Sequence, residues 1–152
     1  MAKLLRGLLP VALVVALGIL VGVGTYTFAY ARGYSYLLDD PQACVNCHIM
    51  RDEYSGWIAS SHKTVTCNGC HTPHQLVPKY LVKAANGFAH SFAFTFEDPQ
   101  VIQIKQGSRA VVEANCKECH RSLVDKTFLV EEGAGVDGKD CTRCHFRVGH
   151  AL

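Results

Sequence analysis

Net charge is nearly missing from this 152-residue chain: 15 Lys and Arg stand against 13 Asp and Glu, a formal +2. A surplus this small carries no argument for a nucleic-acid partner, which calls for a basic patch or stripe. Alternation of apolar and polar residues is missing too, and with it the signal for a β-sheet. Charge is absent altogether between Arg6 and Arg32, a run of 25 residues. No cysteine is spare, because all eight fall within four copies of one pentad.

Those pentads are Cys44-Val45-Asn46-Cys47-His48, Cys67-Asn68-Gly69-Cys70-His71, Cys116-Lys117-Glu118-Cys119-His120 and Cys141-Thr142-Arg143-Cys144-His145. Cys-x-x-Cys-His is the spacing that attaches a c-type haem: the two thiols add to the vinyl groups and the next residue offers an imidazole to the iron. Zinc also takes Cys-x-x-Cys pairs, but it does not require a histidine directly after each pair. A disulfide across two intervening residues would be strained. The pentads therefore read as four covalent haem c groups, held by Cys44, Cys47, Cys67, Cys70, Cys116, Cys119, Cys141 and Cys144.

Four haems in the 120 residues of 33–152 leave about thirty residues for each. That is too few to wrap a separate protein core around every porphyrin, so the haems form most of the interior. Their propionates also make the formal charge a poor guide to the holoprotein. The expected fold is mostly α with extensive loops: one N-terminal transmembrane helix and a small multihaem cytochrome c domain.

The uncharged run 7–31 is long enough to span a hydrocarbon core about 30 Å thick at about 1.5 Å per residue. Lys3 and Arg6 mark its cytoplasmic end, and Tyr26, Tyr30, Tyr34 and Tyr36 gather at the other end as an interfacial belt. Ala29-Tyr30-Ala31 resembles a signal-cleavage site, yet the run exceeds the about 7–15 residues of a signal core. The segment reads as an uncleaved anchor. The division is 1–32, cytoplasmic N-terminus and anchor, and 33–152, a periplasmic tetrahaem domain on the bacterial inner membrane.

The pentads begin 23, 49 and 25 residues apart, which suggests two dihaem modules joined by an insert. Ser108 can cap a helix over 109–115, and another helix is expected over 121–132, ended by a loop at 133–138. In the insert a helix is expected from Pro78 to about Phe96. It puts Lys83, Asn86, Gly87 and His90 on one face and Phe88, Phe92 and Phe96 on another. The polar stripe is a candidate site, although an ordinary amphipathic helix gives the same pattern.

Four haems accept up to eight axial ligands. His48, His71, His120 and His145 supply four, and His62, His74, His90, His150 and Met50 remain. Arithmetic permits four bis-histidine haems. His62 and His150, in loops near pentads, are the better extra ligands, while His74 lies too close to His71 to reach the opposite face of that haem.

A membrane anchor, then Asp40-Pro41 leading through Cys44 to Met50, then four haem pentads in this spacing, resembles the NapC/NirT family of quinol dehydrogenases. Ser35-Tyr36-Leu37, Ser61-His62, Lys83 with Gly87, His90-Ser91 and Asn115-Cys116 belong to the same likeness. The resemblance implies a tetrahaem subunit that oxidises menaquinol from the membrane pool and passes electrons to a periplasmic multihaem cytochrome c nitrite reductase in anaerobic respiration. A donor serving other periplasmic reductases is the nearest alternative, and a small reductase acting directly on nitrite or hydroxylamine is a weaker one. The resemblance further implies that Met50, rather than His48, holds the first iron. It pairs His120 with His150 on the third haem and His145 with His62 on the fourth, and leaves the second, with His71, to a ligand from the partner. Lys83 and His90 would line the quinol pocket, with His90 a proton acceptor or a distal ligand of the first haem.

Overall fold

The computed structural model describes residues 2–97, 99, 101–128 and 140–150. All regular structure among them is helical, as the missing alternation predicts. Two compact units, Met1–Ser35 and Tyr36–Leu152, are taken in turn.

The first unit is α1 (Ala2–Tyr30) with the start of a 3₁₀ turn, Gly33–Leu37. Its stretch Gly7–Tyr30 has a mean hydropathy of 2.5 and none of it is buried, so it is long and apolar enough to cross a membrane. The 24 residues span about 36 Å as a helix. Arg32, at φ 52°, ends the helix in the left-handed region. That conformation costs a side-chain-bearing residue about 1–2 kcal/mol.

The second unit strings together α2 (Pro41–Val45), α3 (Arg51–Ala59), α4 (Cys67–His71), α5 (Leu76–Phe96), α6 (Gln106–Cys119), α7 (Arg121–Phe128) and α8 (Cys141–Cys144), with a 3₁₀ turn at His48–Met50. Asp40 caps α2 by accepting from the Gln42 N–H at 2.9 Å, and Pro41 occupies the first position, where its missing N–H costs nothing. Helix α5 begins two residues before the expected Pro78, because the first turn's N–H groups have no internal partners and admit proline at any of these places. Helix α6 starts after Lys105, so Ser108 lies inside it and not at its cap. Of the helix expected over 121–132, α7 accounts for the part to Phe128; the remainder and the loop 133–138 lie outside the described residues.

Packing runs from one haem pentad to the next. Helix α2 meets α4, α4 lies along α6, and α6 meets α8. No apolar side chain is buried among the described residues, and the buried ones are Ser60, Thr72, Lys83, Glu113 and Asn115. A protein-only helical domain would place its Leu, Ile, Val and Phe inside. Here they line surfaces, and the protein's own buried contacts are polar joints.

Candidate haem sites and quinol pocket

Three of the four pentads are built on a helical turn, which sets their two cysteines on one face. In the second, third and fourth pentads the helix runs through the second cysteine. The first differs. Helix α2 ends at Val45, Cys47 is extended at φ −92° and ψ 123°, and a 3₁₀ turn then carries His48 to Met50. His48 is exposed on that turn and Met50 is half-buried.

None of the eight cysteines is in a disulfide. The donor set, four thiol pairs each followed by a histidine on a short helical turn, fits covalent haem c at all four positions. Apolar surface with no protein cover fits a porphyrin interior as well.

The histidines gather. The His62 and His120 rings lie 5.9 Å apart between centroids, and the His71 and His150 rings 6.1 Å. No ring contact joins His62 with His145 or His150 with His120, the pairs implied by the resemblance. Each contact formed joins a pentad histidine with a loop histidine: His120 of the third pentad with His62, which precedes the second, and His71 of the second with His150, which follows the fourth. His150 is carried back to α3, where its Nδ1 meets the Glu53 carbonyl and Glu53 Oε2, each at 3.0 Å. His62 Nδ1 meets Ser61 Oγ at 3.0 Å. With Nδ1 occupied, each ring turns Nε2 outward as its available ligand atom. Trp57 holds the His62 loop by donating Nε1 to the carbonyls of His62 at 3.1 Å and Val65 at 2.9 Å. Burial and the neighbouring His150 push the pKa of His71 down, which favours the neutral ring that binds iron. His74 instead joins Gly69 O at 3.0 Å and Glu118 Oε2 at 3.1 Å, tying α4 to α6.

On α5 the expected polar stripe buries Lys83, half-buries Asn86 and Gly87 and leaves His90 exposed. Lys83 is 3% exposed, and its Nζ donates to Leu37 O at 3.2 Å, Leu38 O at 2.8 Å and Asp39 Oδ1 at 3.3 Å. An ammonium has three donors, so all are engaged. Asp39 also accepts from Lys79 and from Asn68 Nδ2 at 2.7 Å. Lys79 chiefly, with Asn68 and Lys83, holds its carboxyl down at about 2. A Cβ on Gly87 would stand 3.2 Å from the Tyr36 ring, so the glycine lets that ring lie against α5. His90, two turns beyond Lys83, is exposed at one edge; partial desolvation and then the Lys105 ammonium lower its pKa. Asp39 escaped the sequence reading because nothing local links it to residues 40 and 44 positions away. Glu53 and Glu113 escaped for the same reason.

Known proteins resemble this chain over most of its length. The NapC/NirT cytochrome c family, N-terminal region, matches residues 7–152. The cytochrome c-type protein NrfH of Wolinella succinogenes is 36% identical over 147 residues, 90% of this chain and 82% of the relative. The cytochrome c nitrite reductase subunit NrfH of Nitratidesulfovibrio vulgaris is 34% identical over 130 residues, 84% of this chain and 76% of that protein. A crystal structure of the cytochrome c nitrite reductase NrfHA complex bound to the HQNO inhibitor contains a chain that superposes with a TM-score of 0.62 at 33% identity, covering 90% of this chain and 88% of its own length.

Proposed function

The chain belongs to the NapC/NirT cytochrome c family, and from that premise we propose that it is the membrane-anchored electron-transfer subunit of a nitrite reductase complex. It oxidises menaquinol at the periplasmic face of the inner membrane and supplies a multihaem cytochrome c nitrite reductase. The similarity to two NrfH subunits over most of the chain supports this reading. The observation that carries it is the first pentad, in which, unlike the other three, the helix stops before the second cysteine and a 3₁₀ turn carries His48 to Met50.

When bound, the four haem c groups supply one-electron acceptors in series. Met50 would hold the first iron through its thioether, and His71 would hold the second. His120 with His150 would hold the third, and His145 with His62 the fourth. The ring contacts observed pair the histidines differently, His62 with His120 and His71 with His150.

Quinol oxidation releases two electrons and two protons, and the protons need a base whose pKa lies near working pH. Asp39 is too weak a base for that at about 2. His90, whose pKa partial burial and then the Lys105 ammonium lower from the ordinary histidine value, is the acceptor. Lys83 contacts a quinol oxygen by exchange, giving up Asp39, the longest of its three bonds at 3.3 Å. Asp39 then stays held by Lys79 and Asn68. That a solved relative takes the inhibitor HQNO supports a pocket of this kind.

Isolation from membranes in mild detergent tests the whole reading. The expected result is a co-purifying multihaem nitrite reductase, with four haems on this chain reduced by menaquinol and that reduction blocked by HQNO. Co-purification of a different reductase makes the chain a donor to that enzyme, and absence of menaquinol reduction rejects the reading.

A further inference from the structure

Glu113 lies about one turn before Cys116 on α6 and Asn115 immediately before it, at 7% and 6% exposure, and neither has a part in the quinol pocket. Residues two apart on a helix do not share a face. The two side chains accordingly leave α6 in different directions, and each ends on the backbone of a different haem pentad.

Glu113 serves the fourth. Its Oε2 accepts from the Cys141 N–H at 2.7 Å, and its Oε1 accepts from the Thr142 N–H at 2.9 Å and from Thr142 Oγ1 at 2.5 Å. This is the work of an N-cap, done from another helix. Asp140, the residue at that end of α8, makes no side-chain cap bond. Helix α8 is four residues long, too short to hold its shape alone. Arg109 adds a bond from Nε to Thr142 Oγ1 at 3.2 Å. Asn115 serves the second pentad: its Nδ2 donates to Cys70 O and to Thr72 O, both at 2.9 Å, at the C-terminal end of α4. The polarity of each side chain suits its target. A carboxylate only accepts, and it meets three donors; an amide nitrogen carries two hydrogens, and it meets two carbonyls.

We propose that Glu113 and Asn115 form a two-sided clamp that locks the second and fourth haem pentads onto the helix carrying the third, and so sets the spacing along the haem series. Electron transfer falls off steeply with separation, so a joint between pentads is a functional part even though it touches neither quinol nor partner. Both are positioning residues. The proposal rests on the four-haem reading above.

The test uses the full-length protein in detergent with two near-isosteric variants. Glu113→Gln places an amide NH₂ against backbone donors and removes a charge. Asn115→Asp places an oxygen against two carbonyls. Both are expected to keep four covalent haems. Glu113→Gln shifts the low-spin EPR signal and raises the midpoint potential of the haem at His145, identified as the signal altered in His145→Met. Asn115→Asp shifts only the haem at His71. Thr142→Val, which removes the hydroxyl that meets Glu113 and Arg109 but keeps both backbone N–H bonds to Glu113, shifts the His145 haem by less than Glu113→Gln does. Loss of haem confined to the clamped pentad supports the clamp in the same way. Wild-type signals at all four haems, equal shifts over all four, or haem loss across the chain overturn it. Failure of the four-haem reading is seen separately, as a wild-type haem-to-protein ratio other than four.

Discussion

Met50 and His48 are two residues apart, yet the backbone treats them differently: the turn leaves the imidazole exposed and half-buries the thioether. Replacing Met50 with Ala is expected to change the spectrum of one haem and slow its reduction by menaquinol, and Met50→His should make that haem low-spin, both read by EPR and stopped-flow absorbance. Unchanged spectra and kinetics in Met50→Ala would assign the iron to His48. His62→Met should alter the haem of the fourth pentad; an altered third haem would pair His62 with His120. The lowered pKa of His90 gives menaquinol-driven reduction a sign with pH. The rate should fall as pH drops below the ordinary histidine range, where the ring is already protonated, and His90→Ala should be slow at every pH while dithionite still reduces all haems. Asp39 titrates in the opposite regime. Its folded pKa of about 2 lies below its ordinary 3.8, so its stabilisation is complete above that value and lost as pH falls through 2. Asp39→Asn should flatten denaturation midpoints measured across that window.

Helix α5 shows how a periodic pattern can be read correctly and still be incomplete. The 3.6-residue period put Lys83, Gly87 and His90 on one face and the phenylalanines on another, and the structure keeps that division: Phe88 and Phe96 are exposed while Lys83 is buried. The pattern held no information about the segment that covers Lys83, residues 37–39. Lys83→Leu is therefore expected to do two things. It weakens quinol and HQNO binding, and it leaves the Leu37 and Leu38 carbonyls without this donor at a cost of about 1–3 kcal/mol, measurable by chemical denaturation. Gly87→Val should cost a similar amount, about 1–3 kcal/mol, by driving a side chain into the Tyr36 ring. Wild-type stability in Gly87→Val would mean that the ring moves away freely.

No apolar side chain is buried among the described residues, so the polypeptide's own contribution to the interior consists of hydrogen-bonded joints such as Asn115 on α4, Glu113 on α8 and Glu53 on His150. Joints of this kind contribute about 1 kcal/mol each and cannot replace an apolar core. The chain expressed without haem attachment should consequently be open and rapidly digested by protease, whereas the holoprotein resists. A compact, protease-resistant apoprotein would contradict a haem-built interior. Protease added to intact spheroplasts should cut within 33–152 and spare the N-terminus; a protected haem domain would reverse the topology.

The helical class was legible from residues alone, as were the four pentads and a run long and apolar enough to cross a membrane, because each is a local property: a pentad is set by five adjacent residues, a candidate span by its length, and a helix closes its bonds within four residues. Met50 as holder of the first iron is a proposal that rests on family likeness, since spacing by itself favours His48. What the tertiary structure alone decided is which groups meet. It set Asp39 beneath Lys83, Glu53 behind His150 and Glu113 at the start of α8, pairs separated by 44, 97 and 28 residues. No local preference encodes such meetings. They follow from the packing of α2 on α4, α4 on α6 and α6 on α8, and from the need of each buried polar group for a partner.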